Sequence, residues 1–406
     1  MRRKFFCGLT VAFLTIGCQT TEPVSIAEPP SAYSQYAKDL RARMIEFTHS
    51  LQTDEQATDR PDFQVRAQNA SIAGREDINA ALGPSRYLDL DHNCAAIGDR
   101  PVVEEIAQRA KSHSIVIINE HHAKPRHRVF IGAVAARLRQ EGFTYFAAEA
   151  FNPMGVPGEG YPRTDDGYLT MEPMMSRLVF QVRELGYELV GYEARPDQFD
   201  PFDTDIMQQI RDREEAQASN LMEQVLDGDP DAKILIHVGH GHVAEIPHPT
   251  PESDPWMAAR LKQKSGRDPL TINLTACRSL GTKPVFSESA VSVDGREFPK
   301  ITDFFVGFPA LEFTRARPDY RLELGDQFFE VPEALRPKAG PVLIEARPVG
   351  EGLDVQPIER LFLSPGEEIP LLLPIGTWSL VSINEAGAVI ATTEVEIESN
   401  SKPSPG

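Results

Sequence analysis

Between about residues 102 and 275 the chain alternates short apolar runs with longer stretches of helical periodicity, and this alternation limits its fold more than any other feature. The segments SIVII, FTYFAA, YELVGY, KILIHVG and PLTINLT read as strands. Between them VVEEIAQRA, RVFIGAVAARLRQ, SRLVFQVREL, a long stretch from about Asp203 to Leu226, and PWMAARLKQKSG read as helices, the last ending at Gly266. In the second of these, Phe130, Val134 and Leu138 fall on one helical face. Strands that are apolar along their length are buried on both faces, and helices between strands are the crossovers that parallel pairing needs. The expected fold is therefore α/β, with a parallel or mixed sheet covered by helices on both faces.

Four of the runs end in an acid or a histidine. Asn119-Glu120-His121-His122 follows SIVII, Glu149 follows FTYFAA, Glu193 follows YELVGY, and His240-Gly241-His242 closes ILIHVG. Ligands of open parallel sheets bind outside the carboxyl ends of the strands, so these four ends are expected to share one pocket. Adjacent residues on an extended chain point opposite ways, which pairs Glu120 with His122 and His240 with His242 and separates His121 from His122. A carboxylate ending an apolar strand is costly unless it is paired, metal-bound or solvated, so a salt bridge or a helix cap remains the structural alternative for each. His237, inside its apolar run, reads as a hydrogen-bonded core histidine. Glu120 is the candidate general base, on the expectation that apolar surroundings raise its pKa towards neutrality.

Asn119-Glu120-His121-His122 with Pro125 and His127 resembles the Gly-Glu-x-His…Pro-x-His pattern of ChaN-like haem-uptake lipoproteins. Gly239-His240-Gly241-His242 is similar to the Gly-x-x-His of the related Tiki and TraB-type proteins. Arg213 to Asn220 resembles the Arg-acidic-x-x-Met-Ala-x-Asn helix start of that superfamily, which includes erythromycin esterases. Asn119 stands where the pattern has Gly, and Gln217 where it has Met. The resemblance covers about 110 to 280. It implies a catalytic set of Glu120, His122, Glu149, Arg213 and His242, with Glu193, His240 and His127 as additional members and Arg213 holding an anion. It also implies hydrolysis of an ester or peptide bond, with a divalent metal on His122 and His242 as one form of the site. Haem or iron binding for uptake is the alternative, and a non-catalytic interaction protein of the envelope is the third reading. Small molecules, haem and peptides are the corresponding ligands.

Arg2, Arg3 and Lys4 precede an apolar stretch too short to span a bilayer, which ends at Cys18. Leu-Thr-Ile-Gly-Cys resembles the lipobox of bacterial lipoproteins, implying a signal peptide over 1–17 and a lipid anchor on Cys18. Gln19 after it implies the outer membrane, facing the periplasm. Residues 18–32 read as a flexible tether, 33–310 as the α/β domain, 338–399 as a small β-sandwich-like domain, and 400–406 as a disordered tail. A helix is expected near Tyr33 to Leu51, while 52–80 gives no clear pattern. Past residue 280 only short β-prone runs separated by Pro, Gly and Asn turns appear. Cys94 and Cys277 are the cysteines left after processing and are candidates for a disulfide in an oxidising compartment. A formal net charge of −19, with no basic block, argues against nucleic-acid partners.

Overall fold

The computed structural model describes residues 42–48, 50–51, 63–81, 92–156, 158–200, 204–246, 254–292 and 294–399. The signal peptide, Cys18, the tether and the tail lie outside these residues. Among the described residues no helix is long and apolar enough to cross a membrane.

A seven-stranded sheet forms the centre. Its strands in chain order are β1 (Ile115–Glu120), β2 (Tyr145–Ala148), β3 (Glu188–Gly191), β4 (Ile234–Gly239), β5 (Leu270–Asn273), β6 (Val285–Ser287) and β7 (Phe304–Gly307). Across the sheet they run β3-β2-β4-β1-β5-β7-β6, all parallel except β6 against β7. β4 inserts between β1 and β2, so the carboxyl ends of these three strands lie side by side. The helices α1 (Val102–Ala110), α2 (Arg126–Arg139), α3 (Pro173–Glu184), α4 (Ile206–Leu221) and α5 (Met257–Ser265) cover both faces. Alternation along β1 divides the core in two. Val116 and Ile118 pack with Ile106, Ile131 and Leu178, while Ile115 and Ile117 pack with Ala218, Leu221 and Leu261. Burying each such aliphatic side chain contributes roughly 1.5–3 kcal/mol.

Helix boundaries follow local chemistry. Asp205 caps α4, its carboxylate accepting from the amides of Met207 and Gln208. Arg213 is therefore two turns inside the helix and not at its start, the position implied by the family pattern. A π turn, Met222–Leu226, continues it. Gly266 closes α5 in the left-handed conformation, φ 67°. Glu172 caps α3 ahead of Pro173 by accepting from the Met175 amide. Residues 42–48 are helical, and the stretch 52–80 contributes the helices Phe63–Ile72 and Glu76–Ala81.

The C-terminal strands form a separate antiparallel sheet, ordered Glu359–Leu363, Val342–Pro348, Gly376–Asn384, Val389–Ile397, and none joins the main sheet. Leu371–Leu373 pairs instead with Gln327–Phe329. One face of the four-stranded sheet buries Leu343, Phe362 and Ile383 against Met44, Phe47 and Ile72 from the N-terminal helices. The other buries Ile344, Leu361 and Leu380 with Leu371 and Leu373. Cys94 and Cys277 are joined as a disulfide, with Cα atoms 5.3 Å apart, which ties the short strand His92–Cys94 to the chain leaving β5.

Candidate active site

The strand-end residues do converge, and they do so as two charged networks meeting at Gly239. The first lies under β1. Glu120 shares the parity of Val116 and Ile118 and so points into the layer occupied by α2. There Arg128 grips its carboxylate with two bonds, Nε to Oε2 at 2.8 Å and a terminal nitrogen to Oε1 at 2.6 Å. Arg128 is fully buried and also reaches the cap residue Glu172 at 2.6 Å. His237 Nε2 stands 3.0 Å from Glu120 Oε2, and His122 Nδ1 stands 2.8 Å from Oε1.

This environment reverses the expectation for Glu120. Burial alone would push its carboxyl up, but Arg128, His237 and the His122 hydrogen bond together hold it well below the usual carboxylate range. Glu120 is an ionised anchor and not a near-neutral base. Arg128 was not among the residues expected at the site. Its signal was an arginine on the helical face of Ile131 and Ala135, a buried stripe where a cation needs a buried acid.

The second network lies over β2, β3 and β4. Arg213 on α4 bonds Glu149 Oε1 at 2.6 Å and both oxygens of Glu193, to Oε1 at 3.0 Å. The guanidinium expected to hold a ligand anion is thus already bracketed by two carboxylates. Glu149 Oε2 accepts the Gly239 amide at 2.6 Å. Burial raises the Glu149 carboxyl, yet His242, Arg213, His122 and that amide bring it down to about 2. His242 Nδ1 lies 2.7 Å from Glu214 Oε1, and its ring meets Trp256 edge-on at 5.4 Å. Burial lowers the His242 pKa, but Glu149 and Glu214 outweigh it and leave the imidazole raised above its ordinary value. Its Nε2 is 3.4 Å from an Arg213 terminal nitrogen. Gln217, where the family pattern has Met, donates to Glu193 at 3.1 Å. Asn220 at the end of α4 donates to the carbonyls of Tyr192 and Glu193, fixing the turn that carries Glu193.

Gly239 lets the two networks touch. A Cβ there would stand 2.6 Å from His122 Cε1, 2.7 Å from His122 Nε2 and 3.0 Å from Glu149 Oε2. Asn119 braces the same edge, donating to the His240 carbonyl at 2.7 Å and accepting from the Leu274 amide at 2.6 Å.

The histidines outside the strands do not obey strand parity. Residues 240–243 form a 3₁₀ turn, in which His240 has φ 30°. His240 and His242 therefore diverge. The His240 ring packs against both His121, at 4.8 Å, and His122, at 5.0 Å, so two histidines expected on opposite sides meet one partner. Burial, with His122 beside it, lowers the His240 pKa to about 4. His127 is a brace: its Nδ1 accepts the His121 amide at 3.1 Å and its ring stacks on Phe308.

The metal expectation lacks a ligand set. His122 and His242 each hold Nδ1 against a glutamate, as metal-bound imidazoles also do, but Arg213 and Arg128 already occupy the nearby carboxylates. Among the described residues no group of three or more His, Cys, Asp or Glu is arranged to hold a metal ion.

No family model and no curated protein matches the chain. Among solved structures it is similar to the type III effector HopBA1 (13% identity, TM-score 0.33), over 56% of this chain and 99% of that one. It is also similar to a structure described as bacterial protein toxins (16%, TM-score 0.31), over 69% of this chain and 49% of that one. A third is the MARTX toxin effector domain RRSP from Vibrio vulnificus CMCP6 (14%, TM-score 0.28), over 67% of this chain and 48% of that one. The chain thus spans about half the length of the last two. Likeness this slight carries no argument about fold or activity.

Proposed function

We propose that the chain is an envelope lipoprotein with a hydrolase-like site, in which His122 activates water for attack on an ester or peptide carbonyl. The observation that carries this reading is the 2.8 Å contact between His122 Nδ1 and the buried, arginine-held Glu120. A carboxylate on Nδ1 fixes the tautomer with its proton there, which leaves Nε2 as the basic nitrogen. That nitrogen has no hydrogen bond among the described residues and lies against Gly239. In the reaction Nε2 takes a proton from water as the water oxygen attacks the carbonyl carbon. Collapse of the tetrahedral intermediate breaks the C–O or C–N bond, and His122 returns the proton to the leaving oxygen or nitrogen. The oxyanion would sit against the Arg213 terminal nitrogen that makes no bond to Glu149 or Glu193. Glu149 and Glu193 keep Arg213 in place, and Glu120 positions His122.

The motif resemblance to Tiki proteins and erythromycin esterases supports the same class. The steps are carried by side chains of this chain, with no metal or haem among them. The anchor at Cys18 and the outer-membrane location belong to this reading, and mass spectrometry of the mature N-terminus tests them.

The activity test is a panel of aryl esters, lactones and short peptides incubated with purified protein and with His122→Ala. Hydrolysis that falls at least about 100-fold in the variant, with an unchanged thermal melt, is expected. Equal rates for the two proteins, or no hydrolysis of any substrate, would favour a non-catalytic envelope protein.

A further inference from the structure

A cavity of about 610 Å³ opens between the first turns of α2, the turn at 281–284, the loop leaving β7 and the short helix Tyr320–Glu323. Its volume falls in the range of small-ligand sites, roughly 300–1,000 Å³. Phe130, Phe308 and Leu324 supply apolar walls, and Arg126 and Asp319 supply opposite charges. It is separate from the catalytic networks, which use Arg128 from the inner face of α2.

The two charges are the unusual feature. Arg126 is half-buried, lies over the Phe308 ring at 5.2 Å and donates to the Pro309 carbonyl, yet no carboxylate comes within 4.0 Å of it among the described residues. Its Nε is buried with no hydrogen-bond partner, as is Oδ1 of the half-buried Asp319. Arg126 and Asp319 do not pair with each other, although they line one cavity. The other acids at its rim, Glu312 and Glu323, are exposed to water. Glu76 is no full counter-charge to Arg126: it hydrogen-bonds Tyr320 Oη at 3.0 Å, and burial, together with Glu172, pushes its carboxyl up to about 7. The guanidinium of Arg126 is desolvated by burial, and across the apolar walls the half-buried Asp319 supplies the opposite charge with no cation paired to it among the described residues, so a ligand charged at both ends gains from each.

We propose that this cavity binds a short apolar peptide or amino acid with both ends free. Its carboxylate would meet Arg126, its ammonium Asp319, and its side chains Phe130, Phe308 and Leu324. A zwitterion meets the charges of both side chains at once, whereas a simple anion leaves Asp319 unmet and is repelled by it.

Isothermal titration calorimetry with L-leucyl-L-leucine tests this, with N-acetyl-leucyl-leucine and leucyl-leucinamide as singly charged controls. The zwitterion should bind at least tenfold more tightly than either control. Arg126→Gln should weaken zwitterion binding at least tenfold. Asp319→Asn should do the same for the zwitterion while binding the N-acetyl control no more weakly than the wild type does. Thermal melts show whether each variant folds; if Arg126→Gln does not, Asp319→Asn carries the comparison. No binding by the wild type, equal binding of the N-acetyl peptide, or full affinity in a folded variant would overturn the proposal. The readout is binding and not turnover, so failure of the hydrolase reading leaves it unaffected.

Discussion

Gly239→Ala isolates the contact between the two networks. The backbone at 239 is extended, with φ −85° and ψ 154°, so alanine introduces no backbone strain. The whole effect is steric. The new Cβ would stand 2.6 Å from His122 Cε1, and ordinary contact begins at 3.4 Å, so the ring must retreat by the difference, about 0.8 Å. Glu149 Oε2, at 3.0 Å, limits movement on the other side. Overpacking of this kind costs about 1–3 kcal/mol of stability. For a chain this size that is a drop of a few degrees in Tm. The catalytic effect should be larger, since a displacement near 1 Å at a reacting group costs on the order of 100-fold in rate. Thermal melts and the hydrolysis panel measure the two effects, and the imidazole resonances of His122 report its position independently of turnover. If Gly239→Ala leaves those resonances, the Tm and the rate unchanged, the close approach of the two networks is wrong.

Three other perturbations bear on the charged networks. The folded Glu149 carboxyl is depressed from 4.5 to about 2, so its stabilisation is complete above about pH 4.5 and is lost as pH falls through about 2. That depression corresponds to at most about 3 kcal/mol, so acid titration of stability should be visibly shallower in Glu149→Gln. His242 is raised instead, so its contribution is complete below pH 6.5 and disappears as pH rises past its folded pKa. NMR titration should place His242 above 6.5 and His240 near 4, and Glu149→Gln should lower the His242 value. Arg128→Met strands Glu120 and Glu172 in the core and should cost roughly 3–5 kcal/mol in denaturant melts. Adding Glu120→Gln should recover part of that loss, and strict additivity of the two would show that they do not interact.

The central sheet was legible because its strands are apolar along their length and its helices are periodic. β6 and β7 were not, since short runs such as Val285–Ser287 carry too little pattern to separate an edge strand from a loop. The helix Phe63–Ile72 was equally hidden, because tertiary contacts with the C-terminal sheet bury a largely polar stretch. At the site, position at strand ends identified Glu120, His122, Glu149, Glu193 and His242 as neighbours. The roles depended on residues from other elements. Arg128 from α2 decides the charge state of Glu120, and Glu214 from α4 orients His242. Strand parity failed for His121, His240 and His242, because the chain leaves the extended conformation at Glu120 and Gly239.

The most direct test of the account is the tautomer of His122, read from its imidazole nitrogen resonances near neutral pH. With Glu120 Oε1 2.8 Å from Nδ1, the neutral ring should carry its proton on Nδ1 and leave Nε2 free, and Glu120→Gln should weaken that preference. A neutral ring protonated on Nε2 in the wild-type protein, unaltered by Glu120→Gln, would contradict the assignment of His122 as the base.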